Sequence, residues 1–404
     1  MTKSSNEASS RKLRIALVSA YPPSTGPLSE YGWHLVEYLK HSERVEQVYV
    51  LADRVSGSLT EAAATSDVIR CWSFGGATLP VAVVRQARYL NVDAIWFNLH
   101  LTSSGNTKLS RLAGIAAPAL ARCARFVTLV TLHNMLGLTD LAETRLNASR
   151  LDVWGAHVAT KLLGAADMVC VPRPEYADLL RRRYGLRRVR HIPIGTHGTP
   201  LTTPPTARRH GLLAFGHFGS SKRLEHLIEA VAELSERRTD VHLRIGGSSS
   251  RYTPQYLEDL RRRHEGRGYV TFLGYVPEGE VSALFQSAAI SVLPYGTVTG
   301  MSSVAVQSAM YGIPILASDI PGFRALEREG LRLSFFEWRN KESLKQGIER
   351  ILESPEDTRR QDALRNLEYC ERQRMETIVD EYLNILESLV FDASKRAAGG
   401  IRRS

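Results

Sequence analysis

From Leu13 onward, short unbroken apolar runs alternate with stretches whose apolar positions recur every three to four residues. "LRIALVSA" (Leu13–Ala20) reads as a buried strand, and "LSEYGWHLVEYLK" (Leu28–Lys40) follows with helical spacing. "VEQVYVLAD", "VIRCWSF", "VDAIWFNLH", "RFVTLVTLHN", "DMVCVP" and "VRHIPIG" continue the strand series, with helical patterns between them. Short, turn-bounded, β-rich runs separated by helices predict a doubly wound parallel sheet. The alternation stops at "GTHGTPLTTPPTARRHG" (Gly195–Gly211), which is rich in Pro, Thr and Gly, has no periodicity and reads as a linker. It then restarts with "LLAFGHF", "VHLRIGG", "VTFLGYV", "ISVLPYG", "PILASDI" and "LRLSFF". The expected organisation is a polar, disordered tail over 1–11, a first α/β domain over 12–197 and a second over 208–372. The last helical pattern, Glu376–Val390, carries an apolar stripe of Val379, Tyr382, Leu383, Ile385 and Leu386. It must dock on another surface, and residues 373–395 are assigned to the first domain.

Composition changes this picture little. Of 404 residues, 43% are hydrophobic and 23% charged, which suits a soluble protein of two or three domains. The opening "MTKSSNEASSRK" has no apolar core and does not read as a signal peptide. The longest apolar candidate, Leu112–Val130, is broken by Pro118, Arg122 and Arg125, so it reads as a buried helix and a strand rather than a membrane span. Four scattered cysteines without a CxxC spacing point to a reducing, cytoplasmic setting and to buried thiols. The net charge of +10 is concentrated in "RRRYGLRRVR" (Arg181–Arg190) and "RRRHEGR" (Arg261–Arg267). Such runs are either solvated helix faces or contacts for an anionic membrane surface or phosphorylated substrates. Nucleic acid is the weaker partner class, because no aromatics interleave the basic runs and no recognised nucleic-acid motif is present.

Chemistry in open parallel sheets collects beyond the carboxyl ends of strands. Five strand ends there carry candidate residues. "SAYPPSTGPLSEYG" follows the first strand; Gly26 would let backbone approach a ligand, and Ser29 could instead simply cap the helix. Two strands end in histidine, His100 and His133, each able to meet a sugar hydroxyl or developing charge. Asn134 extends the polar edge beside His133, and no third ligand at metal spacing accompanies the pair. "FGHFGSSKRLEHLIEA" has Gly216 and Gly219 for close approach, Ser220 or Ser221 as caps, and Lys222 in the first helical turn. A cation there opposes the macrodipole unless an anion intervenes. Finally, "TGMSSVAVQSAMYG" places Gly300, Ser302 and Ser303 at a helix start, where exposed N–H groups bind phosphate.

In the order of these features the chain resembles the family-4 glycosyltransferases over nearly its whole length. The stretches that carry the resemblance are "YPPSTGPLSEYGWHL", "TLHN", "ADMVCVPRPEYADLL", "IPIGTH", "FGHFGSSKRLEHLIEA", "LGYVPEGEVSALFQSAAISVLPY" and "TGMSSVAVQSAMYGIPILASDIPG". The resemblance implies the GT-B fold: two Rossmann-like doubly wound parallel-sheet domains facing a cleft, with the C-terminal helix crossing back to the first. It implies transfer of a sugar from a nucleotide-diphosphate donor to an acceptor hydroxyl, with retention and without a bound metal. The nucleotide-sugar is then a co-substrate, and the acceptor is a sugar or a lipid-linked sugar in glycolipid, polysaccharide or other glycoconjugate synthesis.

On that pattern His133 holds the transferred sugar. His217, Gly219, Lys222, Gly300, Ser302 and Ser303 meet the diphosphate. Gly26 and His100 lie on the acceptor side, and closure about Gly195–Gly211 excludes water. The chain departs from the pattern where the family carries two glutamates. Thr299 stands at the first, which meets donor-sugar hydroxyls, and Gln307 at the second, which holds the ribose. Loss of a charge-assisted hydrogen bond costs roughly 1–2 kcal/mol. His217 likewise stands where the family has arginine. The alternatives are therefore a catalytically weakened nucleotide-sugar-binding protein of the same fold, or another enzyme of that architecture such as an epimerase.

Overall fold

The computed structural model describes residues 11–24, 27–55, 67–100, 103–134, 150–196, 198–204, 210–219, 222–250, 253–298 and 302–401. The polar tail before residue 11, and the candidates Gly26, Ser220, Ser221, Thr299 and Gly300, lie outside them. The chain divides into two compact units, one from the described residues up to 193 together with those from 375 on, the other from 194 to 374.

The strands of the first unit are β1 (Leu13–Ser19), β2 (Val45–Asp53), β3 (Val68–Trp72), β4 (Ala94–Leu99), β5 (Val127–Leu132), β6 (Met168–Val171) and β7 (Val189–His191). Its helices are α1 (Pro27–His41), α2 (Leu79–Tyr89), α3 (Lys108–Cys123), α4 (Arg150–Leu163) and α5 (Pro174–Tyr184). In the second unit lie β8 (Leu212–Phe218), β9 (Leu243–Ser249), β10 (Val270–Gly274), β11 (Ile290–Leu293), β12 (Ile315–Ser318) and β13 (Ser334–Phe336). Its helices are α6 (Glu225–Ser235), α7 (Tyr256–His264), α8 (Glu278–Gln286), α9 (Ser303–Met310), α10 (Pro321–Arg328), α11 (Lys341–Leu352) and α12 (Glu356–Arg372). The last helix, α13 (Met375–Ile401), returns to the first unit.

Both sheets are parallel throughout. Their orders are β3-β2-β1-β4-β5-β6-β7 and β10-β9-β8-β11-β12-β13. Helices cover both faces of such a sheet, so its central strands are apolar without alternation; every residue of β4 and β5 is buried. Right-handed crossovers put α2, α3, α4 and α5 on one face of the first sheet and α1 on the other. The strand order reverses between β1 and β4, and again between β8 and β11. Loops diverge at those two points and leave a crevice at the carboxyl ends.

The apolar stripe of α13 is buried against α1 and β5. Tyr382 lies 4.4 Å, centroid to centroid, from Trp96 of β4, and its hydroxyl is 3.3 Å from Thr131 Oγ1 of β5. Arg44, in the turn before β2, clasps Glu387 with two bonds of 2.9 and 2.7 Å and donates to Asn384 at 2.7 Å. A bidentate guanidinium–carboxylate pair fixes angle as well as distance. The helix is thus tied at its centre by aromatic packing and along its rim by one arginine.

Three expectations need correction. Ser29 does not cap α1, because that helix begins at Pro27 and buries Ser29 within its first turn. Of the four cysteines, Cys71, Cys170 and Cys370 are buried, but Cys123 ends α3 exposed, in the turn where the helix leaves the core. Part of the stretch read as a linker is docked: Thr196 N–H donates to the Gln373 carbonyl at 2.8 Å and Leu201 N–H to the Met310 carbonyl at 3.1 Å. Those bonds hold its described residues on the second unit.

Candidate functional site

At the reversal point of the first sheet, the ends of β1, β4 and β5 bring Ser19, Asn98, His100 and His133 together. His133 is 6% exposed, and its Nε2 lies 2.6 Å from Asn98 Oδ1. The Tyr31 ring from α1 meets it edge-on at 4.8 Å, and the His100 ring stands 5.6 Å away. Burial, with a smaller push from His100, lowers its pKa well below that of free histidine, so the ring is neutral. His100 is only half-buried. The two strand-end histidines are therefore unlike: one is locked into a buried polar chain and the other borders solvent.

The loop after β1 is fixed from beneath. Asp53, at the end of β2, accepts from Tyr21 N–H at 3.2 Å and from the Ser24 hydroxyl at 2.5 Å. Arg70 donates to the Asp53 carbonyl at 2.7 Å and to the Pro22 carbonyl. Charged partners under a loop hold its backbone near one geometry, and this clamp sets the stretch that leads to Gly26.

In the second unit the reversal point gathers His217, Lys222, Tyr295, Ser302 and Ser303. Gly216 and Gly247 both have positive φ, at 124° and 125°, and a Cβ on Gly247 would stand 1.9 Å from the Gly216 carbonyl oxygen. Only glycine permits that approach. It brings the ends of β8 and β9 together so that His217 Nδ1 reaches Ser248 Oγ at 2.7 Å. A Cβ on Gly216 would lie 3.7 Å from Lys222 Nζ and 3.4 Å from Val304 of α9, so the amine and the helix start share one small space. Gly219 is buried, and its carbonyl accepts from Lys222 N–H at 3.2 Å.

Lys222 does not sit in the first turn of α6. That helix starts at Glu225, and the N–H of Leu224, its capping residue, is taken by the Tyr256 hydroxyl at 2.8 Å. The α6 dipole therefore gives no reason for an anion at Lys222. Lys222 is bridged between Gly219 and Tyr295, with Nζ 4.7 Å from the centroid of the Tyr295 ring. Among the described residues no carboxylate lies within ion-pair distance of it. Burial lowers its pKa to about 8. An amine held without a counter-charge against an aromatic face leaves its remaining N–H donors for an anion.

Ser302 caps α9, its hydroxyl accepting from Ala305 N–H at 3.3 Å. The first-turn N–H groups of Ser303 and Val304 have no partner within the helix. The Tyr295 hydroxyl is buried beside Ser302 without a completed hydrogen bond. Ser303 is exposed, and Gln307 is half-buried one turn further on. His217 remains accessible; partial loss of water and the Lys222 charge lower its pKa, so it is neutral near pH 7 without an anion nearby.

The structure thus brings His100 with His133, and His217 with Lys222, Ser302 and Ser303. Asn98, Ser19 and Tyr295 were missed. Asn98 had a signal, a polar residue inside the apolar run "AIWFNL", and Tyr295 stood at a strand end next to a glycine. Among the described residues no cluster of His, Cys, Asp or Glu has a metal-holding arrangement, and no helix is long and apolar enough to cross a membrane.

Residues 208–365 match the family model described as glycosyl transferases group 1. An uncharacterized glycosyltransferase of Methanocaldococcus jannaschii is 28% identical over 141 residues, which is 35% of this chain and 35% of that protein. The chain spans about a third to two-fifths of the length of the curated relatives it matches. Among solved structures, sucrose-phosphate synthase from Thermosynechococcus elongatus superimposes with a TM-score of 0.71 at 19% identity, covering 94% of this chain and 99% of that one. Anabaena HepE in complex with UDP-glucose gives 0.66 at 16% identity over 93% and 99%. These likenesses are of fold, and the chain has the GT-B fold, with two parallel-sheet α/β domains and a final helix that returns to the first.

Proposed function

We propose that this protein is a metal-independent, retaining glycosyltransferase of the family-4 type. It moves a sugar from a nucleotide-diphosphate donor to an acceptor hydroxyl in glycoconjugate synthesis. One observation carries the reading: a half-buried amine without a carboxylate partner among the described residues, Lys222, stands beside the start of α9, within the stretch that matches the glycosyltransferase family model. HepE, with its bound UDP-glucose, supports a nucleotide-sugar as the donor class.

In the reaction, the bond from the anomeric carbon to the diphosphate oxygen breaks and a bond to the acceptor oxygen forms on the same face. The acceptor proton passes to the departing phosphate. Charge therefore grows on the diphosphate, and preorganised donors stabilise it there at little reorganisation cost. Lys222 and the N–H groups of Ser303 and Val304 supply them. A bound diphosphate would raise the His217 pKa and recruit a second cation. Gln307 would hold the ribose as a neutral amide, Thr299 and Gly300 would border the sugar and diphosphate, and His133 would hold the transferred sugar. Gly26 and His100 are assigned to the acceptor side.

A thermal-shift screen against UDP, GDP, ADP and their sugars tests the reading. A ligand bound at a hundred times its Kd adds about 2.7 kcal/mol of stability, which gives a shift of several degrees. One nucleotide class should produce it; no shift with any of them would remove the donor assignment.

The acceptor side is assigned to a lipid surface. Arg181, Arg182, Arg183, Arg187, Arg188 and Arg190 are all exposed. Between Asp67 and Asp140 the sequence has one carboxylate, Asp93. The helices of that stretch, α2 and α3, pack together and expose Tyr89, Leu109 and Leu112 near Arg85, Arg88 and Lys108. Basic residues interleaved with exposed apolar ones suit anionic headgroups over acyl chains. In flotation with phosphatidylglycerol-containing vesicles, the Arg181/Arg182/Arg183→Ala variant should bind several-fold less than wild type at low salt; equal binding would refute the contact.

A further inference from the structure

We propose that Asn98 is a positioning residue that holds His133 with its proton on Nε2, leaving Nδ1 as a hydrogen-bond acceptor for a hydroxyl of the transferred sugar. The sugar assignment rests on the function proposed above; the tautomer does not.

Asn98 is 1% exposed, so its amide has to be satisfied inside the protein. One of its terminal atoms lies 3.3 Å from the backbone carbonyl of Leu28 and 3.0 Å from Ser19 Oγ. A carbonyl only accepts, so that atom is the NH2 group. The Ser19 hydroxyl is already directed at carbonyls, Ala20 at 2.7 Å and Leu28 at 3.2 Å, and can accept from the amide. The other terminal atom is then the carbonyl oxygen, and it faces His133 Nε2 at 2.6 Å. An oxygen opposite a ring nitrogen at that distance requires the nitrogen to carry the proton.

A neutral imidazole has one N–H, and here it is committed to Asn98. The groups facing the ring, Tyr31 from α1 and His100 from the end of β4, carry no negative charge that would favour a second proton. Nδ1 has no hydrogen bond among the described residues. With its one N–H committed to Asn98, His133 accepts and the sugar hydroxyl donates. Rigidity follows as well, because the carbonyl of Leu28, in the first turn of α1, sets the amide and the amide sets the ring.

The test uses the full chain with 15N-labelled histidine and long-range proton–nitrogen correlation. The His133 signals are assigned by their loss in His133→Gln. At pH 7.5 the wild type should show a protonated-type Nε2 and an unprotonated-type Nδ1. Asn98→Leu should shift His133 toward the Nδ1–H form, because the acceptor opposite Nε2 is gone. Asn98→Asp, which keeps the shape, should raise the pH at which this ring titrates by about 1–3 units. Observation of Nδ1–H in the wild type, or an unchanged tautomer in Asn98→Leu together with unchanged titration in Asn98→Asp, would overturn the assignment.

In turnover assays, kcat of Asn98→Leu should fall about tenfold, the equivalent of one lost hydrogen bond, while the nucleotide thermal shift stays at the wild-type value. If no nucleotide shifts any variant, the donor reading fails and the tautomer result still stands or falls by the spectra.

Discussion

Replacing Lys222 with methionine is expected to reduce donor turnover by about 10²–10³-fold while making the protein more stable at neutral pH. The two effects have one cause. The unfolded chain keeps this proton up to about 10.5, whereas the folded chain releases it at about 8. Between those values the unfolded state binds more protons, so stability rises with pH across that window, and below about pH 8 the cost of burying the charge is fully present. The Tyr295 ring offsets part of that cost, which leaves a gain on the order of 2 kcal/mol for the methionine variant at pH 7. The gain should fade as the pH approaches 10.5. Urea unfolding at pH 7 and at pH 10, followed through the transition of the second unit, reads the difference directly. A methionine variant less stable than wild type at pH 7 would show that Nζ is held by a partner stronger than the ring. Such an exchange of stability for a poised charge is common at functional sites.

The second large effect belongs to the returning helix. Tyr382→Ala should destabilise the first unit by about 3–5 kcal/mol, in the range for removing a fully buried aromatic side chain. Tyr382 is 1% exposed, packs on Trp96 and places its hydroxyl by Thr131. For a unit of this size the shift in Tm is about 2–4 °C per kcal/mol, so a fall of roughly 10 °C is expected. Tyr382→Phe keeps the ring and should lose only about 1 kcal/mol. A small effect of the alanine variant would mean that α13 is held chiefly by Arg44 at its rim, and Arg44→Ala in the same background would then show the larger loss.

Much of the fold was legible because parallel strands announce themselves. β1, β2, β8 and most of the rest fall inside the apolar runs, since a strand covered on both faces is built mainly of apolar residues. The stripe on α13 was equally plain, although its partners, Trp96 and Thr131, lie at least 251 positions from Tyr382 in the chain and could not be named. The site was legible in part. Ser302 could be placed at the start of α9 from its spacing alone, because capping is local chemistry. Lys222 was recognised for a reason that the structure removes: two residues separate it from the helix, and its environment comes from Tyr295, more than seventy positions on. Asn98 escaped because its partners, Ser19, Leu28 and His133, come from three separate elements, and no periodicity encodes a contact of that kind. Local rules locate caps and strands; a buried polar network is fixed only when distant elements meet.

The return of α13 also sets an order of assembly during synthesis. Residues 194–374 are continuous, so their unit has all its parts as soon as they leave the ribosome. The sheet of the opening unit is translated before them but stays uncovered over β5 until the final helix emerges. Of these two sheets, the one translated earlier is completed later, and through that interval the nascent chain carries a bare apolar surface over β5.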